Sequence, residues 1–218
     1  MTTKTRVIDG YAAKLTQVQV DDERVALWQV DDLERHVDRD ALLGGGNPPE
    51  PPYWAQLWSG ALVLARAVPL RPPPTLELGA GLGLPGLLAG CRGAPVVFVD
   101  RELTPLRFIR ASAVANGVAN AATVAADFTQ LAARRQFPLI LAAEILYDRS
   151  LFAHLAQSLR RLLAPGGLAL LTDGGRIDTR DFYTALAGAG LSYVTTEERV
   201  REEGVVVTIR RVEIRPGY

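Results

Sequence analysis

The chain has 218 residues, 48% of them apolar and 22% charged, with 24 Lys/Arg balanced by 24 Asp/Glu. That composition fits one generous globular domain, or one domain with an N-terminal appendage, and supplies no global basic field to recruit nucleic acid. Cys91 is the only cysteine, which excludes an internal disulfide framework and a multi-cysteine zinc site.

At the N-terminus, MTTKTRVIDG lacks the apolar core of a secretory leader, and no later run approaches the ~18 uncharged apolar residues of a membrane span. A cytoplasmic chain with no membrane partner is the expectation. LTQVQV (15–20) and RVALWQV (24–30) alternate apolar and polar positions around Asp21-Asp22-Glu23, which reads as a β-hairpin. GGGNPPEPP (44–52) is a linker by composition. Residues 1–50 hold six Lys/Arg against ten Asp/Glu and form an N-terminal extension; residues 51–218 form the main domain, with the opposite charge bias.

SGALVLARAVPL (59–70) predicts an amphipathic helix with Ser59 as N-cap and a stop near Pro69. The chain then alternates. TLEL, PVVFVD, ATVAAD, FPLILAAE and GLALLTD read as strands, separated by the helices LPGLLAGC, TPLRFIRASAVANG and SLFAHLAQSLRRLLA. TRDFYTALAGAG is a further helix with a glycine at its C-terminus, and LSYVTTEERV and VVVTIRRVEI are consecutive strands across a REEG turn. The expected fold is α/β. A doubly wound, seven-stranded, mostly parallel sheet carries helices on both faces and an antiparallel last strand, with the N-terminal hairpin outside it.

Residue types narrow the chemistry. Lysine occurs only at Lys4 and Lys14, so the main domain has neither a Schiff-base lysine nor a P-loop. Histidine occurs only at His36 and His154 and no G-x-S-x-G is present, which argues against a serine triad or a histidine-rich metal site. No metal is expected. Any reaction must run on Asp, Glu, Tyr, Trp and backbone.

TLELGAGLGLPGLLAGC (75–91) places Gly79, Gly81, Gly83 and Gly86 between a strand and a helix. Gly81, Gly83 and Gly86 match the dinucleotide pattern G-x-G-x-x-G, with Asp100 about twenty residues on. The register is poor, because the first glycine after the strand is Gly79. Read from the strand, the pattern is Glu77-x-Gly79-x-Gly81-x-Gly83. A carboxylate there would repel a pyrophosphate, but suits a ligand carrying an ammonium group. Bare backbone at Gly79, Ala80, Gly81 and Gly83 allows close approach, and Asp100, at the end of the next strand, can accept two ribose hydroxyl protons. Taken alone, Asp100 would equally cap the following helix, and Asp127 would equally begin a turn.

This segment resembles the opening motif of class I S-adenosylmethionine-dependent methyltransferases. The resemblance implies that S-adenosyl-L-methionine is the cofactor, held by Glu77, Gly79, Ala80, Gly81, Gly83 and Asp100, with an adenine contact at Asp127-Phe128. Asn47-Pro48-Pro49 echoes the NPP[YF] loop of some amino-group methyltransferases, but Glu50 follows and no strand precedes it, so it reads as linker. PYWAQLWSGALVLAR (52–66), LILAAEILYD (139–148) and TDGGR (172–176) narrow the resemblance. Over roughly residues 50–218 the chain is similar to the seven-strand protein lysine methyltransferases of methyltransferase family 16. It resembles in particular the branch that modifies the electron-transfer flavoprotein beta subunit.

That resemblance implies that Trp58 and Ala143 contact the donor and that Glu144-Ile145-Leu146-Tyr147 is the acidic-x-x-Tyr element at the methyl-transfer end. Glu144 would orient an incoming ammonium and relay its proton, Tyr147 would wall the channel, and Asp148 would assist at the rim. Asp173 and Arg176 are candidates for the substrate side. Core packing is the competing role for Trp54, Trp58 and Tyr147. The chain departs from the pattern with Glu144 where Asp is commoner and with Gly174 where that branch tends to have proline. The expected activity is N-methylation of lysine in a protein substrate; the alternative is a small-molecule N-methyltransferase acting on a compact amine. No nucleic-acid partner is expected.

Overall fold

The computed structural model describes residues 4–36, 52–131, 136–202 and 204–217; the linker at 44–52, with Asn47-Pro48-Pro49, lies outside them except for Pro52. Strands β1 (Thr5–Ile8), β2 (Tyr11–Val20) and β3 (Glu23–Val30) form a separate antiparallel sheet in the order β1-β2-β3. The expected hairpin is β2–β3, turned at Asp21 with φ 49°. Strand β1 was not anticipated. Its signal is Asp9-Gly10, with φ of 51° and 84°, a pair suited to a hairpin turn that needs positive φ at both central residues.

The main sheet holds seven strands in the order β6-β5-β4-β7-β8-β10-β9. They are β4 (Thr75–Leu78), β5 (Val96–Asp100), β6 (Ala121–Ala125), β7 (Phe137–Ala143), β8 (Leu163–Asp173), β9 (Leu191–Glu202) and β10 (Val205–Pro216). Strands β4 to β8 are parallel, and β10 runs antiparallel to both β8 and β9, as the alternation predicts. Helices α1 (Ser59–Ala67), α2 (Leu84–Cys91), α3 (Leu103–Ala115), α4 (Phe152–Leu162) and α5 (Arg180–Gly188) cover the two faces.

Alternation along β7 shows the two layers. Ile140 and Ala142 enter a core shared with α4 and α5, while Leu139 and Leu141 enter one shared with α1, α2 and α3. The second core also contains Val20, Val25 and Leu27, so the N-terminal sheet packs on the main domain rather than standing apart. No described helix is long and apolar enough to cross a membrane.

Two boundaries differ from expectation. Trp58, not Ser59, is the N-cap of α1, and Ser59 is the first helical residue. Its amide instead faces Glu202 Oε1 at 3.5 Å, an acidic group where the helix dipole favours one. Strand β8 starts at Leu163 rather than Gly167, because Leu163 pairs with Phe137 and Leu168 with Leu139. Residues 164–167, which include Pro165, Gly166 and Gly167, are thus looped out within the strand.

Candidate active site

Chain direction across the sheet reverses between β4 and β7, and ligands of such sheets sit at the carboxyl ends of the strands beside that point. The glycine loop leaves β4 there. Gly79, Gly81 and Gly83 have φ of 57°, 50° and 71°, the left-handed region that side chains disfavour. Space is short as well. A Cβ at Gly79 would lie 2.7 Å from Ile145 Cγ2, and one at Gly83 would lie 2.9 Å from Ile109 Cγ1. The bare, curved backbone is therefore built into the packing.

Two acids hold this loop. Asp100, 8% exposed at the end of β5, accepts from the Gly81 amide at 2.9 Å and from Glu102 at 3.1 Å. Two carboxylate oxygens offer about four acceptor positions, so capacity remains for a ligand's hydroxyls. Burial pushes the Asp100 carboxyl up, against hydrogen bonds that lower it. Glu77 is 1% exposed and accepts from the Gly86 amide at 2.9 Å. Burial, which outweighs this bond, together with the Asp100 charge pushes the Glu77 carboxyl up to about 8. Its carboxylate lies under the loop, at the first turn of α2. Phe128 is buried and lies about 4.0 Å from where a Gly79 Cβ would sit, flooring the loop. Asp127, two residues beyond β6, turns its Oδ1 back to the Thr129 amide and hydroxyl at 2.8 and 2.6 Å.

The second half of the site starts where β7 ends. Ala143 is partly buried against the α1–α3 core, and Glu144 follows with φ 55°. The other described non-glycine residues with positive φ are aspartates; a glutamate gains little from local hydrogen bonding there, so the strain of roughly 1–2 kcal/mol marks a constrained position. The Glu144 amide donates to Thr172 O at 3.0 Å. Its side chain is 7% exposed, accepts at Oε2 from the Gly174 amide at 3.1 Å, and lies 3.6 Å from Arg176 Nε. Oε1 is buried with no hydrogen-bond partner. Burial raises the Glu144 carboxyl, opposed chiefly by the Arg176 charge. The Arg176 guanidinium stacks over the Trp58 ring, 4.1 Å from its centroid, and Trp58 Nε1 donates to Tyr53 O at 3.1 Å.

The structure thus gathers Glu77, Gly79, Ala80, Gly81, Gly83, Asp100 and Phe128 around the glycine loop, and Trp58 with Glu144 and Arg176 beyond β7. Ile145 is buried against the loop and Leu146 lies in the same core, while Tyr147 is 46% exposed. Asp148 is exposed and caps a short 3-10 turn, accepting from the Ser150 amide and hydroxyl at 2.8 and 2.7 Å; these bonds lower its carboxyl. Asp173 is 3% exposed, bonded to Thr179 Oγ1 and the Gly175 amide at 2.9 Å each. Trp54 takes the packing role, its ring 5.6 Å from Tyr11 and 5.2 Å from Phe108.

Sequence reasoning missed Gly60 as part of the site and had Gly174 only as a departure from the resembled pattern. A Cβ at Gly60 would meet Glu144 Oε1 and lie 2.7 Å from Glu144 Cγ, and one at Gly174 would lie 2.8 Å from Glu144 Oε2. Thr172, whose hydroxyl donates to Gly60 O at 3.0 Å, ties the two segments together. For Gly60, glycine at the start of a predicted helix was the available hint.

A profile described as lysine methyltransferase matches residues 56–184. Protein N-lysine methyltransferase METTL21A of Mus musculus is 32% identical over 130 residues, covering 54% of this chain and 59% of that protein. EEF1A lysine methyltransferase 3 of Mus musculus is 28% identical over 171 residues, covering 74% and 72%. The match thus spans less than two thirds of the length of the first relative. Among solved structures, magnesium protoporphyrin IX methyltransferase of Synechocystis PCC 6803 with bound SAM shares the fold at TM-score 0.58 and 14% identity, covering 82% of this chain and 90% of that one. A glycopeptide N-methyltransferase complexed with (S)-adenosyl-L-methionine does so at TM-score 0.57 and 16% identity, covering 77% and 99%.

Proposed function

The chain belongs to the lysine methyltransferase family, whose profile covers residues 56–184, and from that premise we propose that it is an S-adenosyl-L-methionine-dependent N-methyltransferase acting on lysine side chains of a protein. The observation that carries the reading is the meeting, at the β4–β7 switch, of an acid-held glycine loop with a constrained, buried Glu144 whose neighbour is a cation.

The residues fit the donor. Gly79, Gly81 and Gly83 keep the loop a bare-backbone cradle, in left-handed conformations where a Cβ would press into Ile145, Trp54 or Ile109, and Asp100 has acceptor capacity beyond the bonds to Gly81 and Glu102. Glu77 anchors this cradle to α2 through Gly86 and adds negative charge beneath it when ionised. When bound, the donor supplies a methyl group on a sulfonium, already electrophilic. The protein's task is then mainly alignment, which in well-oriented reactions supplies ~7–11 kcal/mol. Glu144 orients the ammonium, and the lysine must shed a proton before its nitrogen can attack, since its pKa in water is ~10.4. A carboxyl raised by burial, as Glu144 is, is better matched to passing that proton on than an ordinary one. Tyr147, exposed beside it, walls the approach, and Asp148 stands at the rim.

Two measurements test this. S-adenosylhomocysteine at ~100 times its dissociation constant supplies ~2.7 kcal/mol, a melting shift of ~5–10 °C for a chain of this size, and NADH should produce none. Donor with a labelled methyl group, incubated with lysate, should place the label on lysine side chains of protein. Label only on free amines would instead support the small-molecule alternative.

A further inference from the structure

Strands β9 and β10 run past the end of the sheet. Strand β10 pairs with β8 over Arg210–Ile214, up to Asp173 at the carboxyl end of β8, yet it pairs with β9 from Pro216 to Val205. Residues 198–202 and 205–209 therefore overhang the edge where the glycine loop and Glu144 lie. A lone two-stranded ribbon is marginally stable in water, so this one needs support. One face has it: Ile209 is buried, α1 touches both strands, and Glu202 Oε1 faces the Ser59 amide. The opposite face is bare. Side chains alternate along a strand, so that face carries Arg199 opposite Thr208 and Arg201 opposite Val206, with Glu197 opposite Arg210 at its inner end. Arg199, Arg201, Val206 and Thr208 are all exposed. Glu197 is paired with Arg210 at 3.3 Å, whereas Arg199 and Arg201 enter no ion pair among the described residues.

A cleft of about 490 Å³ joins this face to the active site, with Asp173, Gly174 and Gly175 on one side and Glu197, Thr208 and Arg210 on the other. Gly174 is the shared wall, since its amide holds Glu144 Oε2. Charge is graded along the trough. The inner end sets Glu144, Asp173 and Glu197 against Arg176 and Arg210, while the outer end has Arg199 and Arg201. We propose that this face of the overhanging hairpin docks an acidic stretch of the substrate protein close to the target lysine, recognised by Arg199 and Arg201. The reading rests on the N-methyltransferase function and specifies the class of protein segment it takes. From Gly174 to the two arginines is two strands across, roughly 10 Å, and roughly 7–13 Å outward along β9. An extended segment covers that span in about four to six residues. A nucleic acid is also negative, but the acids at the inner end repel a continuous phosphate backbone, and the chain as a whole is neutral. A short acidic stretch beside a lysine suits both ends.

Synthetic peptides test this without the natural substrate. The probe is a fluorescein-labelled peptide with a central lysine, three glycines on each side of it, and three glutamates beyond each glycine run. Two companions carry glutamine or arginine in place of the glutamates. Each is titrated with the full chain, saturated with S-adenosylhomocysteine, and read by fluorescence anisotropy at low salt. The glutamate peptide should bind at least about fivefold tighter than the glutamine peptide, the scale of two exposed ion pairs, and the arginine peptide should bind weakest. At ~0.5 M salt, where charges are screened within ~4 Å, the three should converge. Arg199→Glu/Arg201→Glu should reverse the order. Arg110→Glu/Arg160→Glu, the same charge change on exposed positions of α3 and α4, should preserve it. No preference for glutamate in wild type, or an order that survives the Arg199/Arg201 reversal, would overturn the proposal. Oligouridylate binding tighter than the glutamate peptide, and lost on the same reversal, would also overturn it by giving the face to nucleic acid. Failure of the donor reading registers separately, as absence of the S-adenosylhomocysteine melting shift in wild type.

Discussion

At the scale of single residues, the two buried glutamates have different work and should respond to substitution in opposite ways. Burial pushes Glu77 up to about 8 from 4.5. Between those values the folded chain holds a proton that the unfolded chain has lost, so the associated stability is complete below about 4.5 and declines as pH rises through about 8. Glu77→Gln keeps an acceptor for the Gly86 amide and removes the titration. Its unfolding free energy relative to wild type should therefore rise steadily from pH 5 to pH 8, by a margin on the order of a few kcal/mol across the window, with the melting temperature following. A constant difference over that range would show that Glu77 does not titrate there. Glu144→Gln likewise preserves shape and the bond from Gly174. Donor affinity should stay within about twofold, because the glycine loop and Asp100 lie on other strands, while transfer per folded molecule falls ~10²-fold or more. Unchanged turnover with intact donor binding would leave Glu144 a purely structural residue.

At the scale of elements, the contact between the first turn of α1 and the residue after β7 is the least obvious part of the site. Gly60 is helical, so Gly60→Ala should gain ~0.8–1.0 kcal/mol in propensity. The new Cβ would occupy the place of the Glu144 carboxylate. Gly60→Ala is therefore expected to melt within a few degrees of wild type and to bind donor, yet to transfer methyl at least tenfold more slowly, as displaced alignment does. A rate equal to wild type would mean that the Glu144 position is not critical. Gly174 acts from the other side, because its N–H holds Glu144 Oε2 and a proline there would have no N–H to give. These relations explain what was legible in the sequence. Glu77, Gly79, Gly81, Gly83 and Asp100 are close along the chain and follow strand ends, so alternation and register were enough to bring them together. Trp58, Gly60, Glu144 and Arg176 come from three separate stretches, and only the strand order makes them neighbours. Strand β1 was missed although Asp9-Gly10 marks its turn, because three exposed residues followed by the buried Ile8 carry no strong periodicity.

At the scale of the whole molecule, the N-terminal sheet is bound to the donor-side helices by more than apolar contact. The free edge of β3 is closed by α3: the Trp28 amide donates to Ser112 Oγ at 2.9 Å, the Ala26 amide to Asn116 Oδ1 at 2.8 Å, and Asn116 Nδ2 to Ala26 O at 2.7 Å. Ser112 and Asn116 stand one helical turn apart, and Ala26 and Trp28 are two residues apart, so helix and strand repeats match across the seam. This covers an edge that would otherwise pair with another chain. Below it, Val20, Val25 and Leu27 share a core with Leu87, Leu88 and Leu139, and Asp9 binds Arg107 and Thr104 of α3 at the far end. A seam with both hydrogen bonds and core on it should unfold as one unit with the main sheet. Asn116→Ala leaves the Ala26 N–H and C=O without partners, at a cost of ~1–3 kcal/mol. That corresponds to a loss of roughly 3–10 °C in melting temperature. Tryptophan fluorescence reports Trp28 and Trp54 beside the seam, whereas far-UV circular dichroism is dominated by the larger sheet and its helices. Both signals should move together, in wild type and in Asn116→Ala, with one midpoint each. A fluorescence transition that precedes the circular dichroism transition in the variant would mean that the N-terminal sheet is an independent unit resting on the enzyme, and that its stability does not reach the glycine loop.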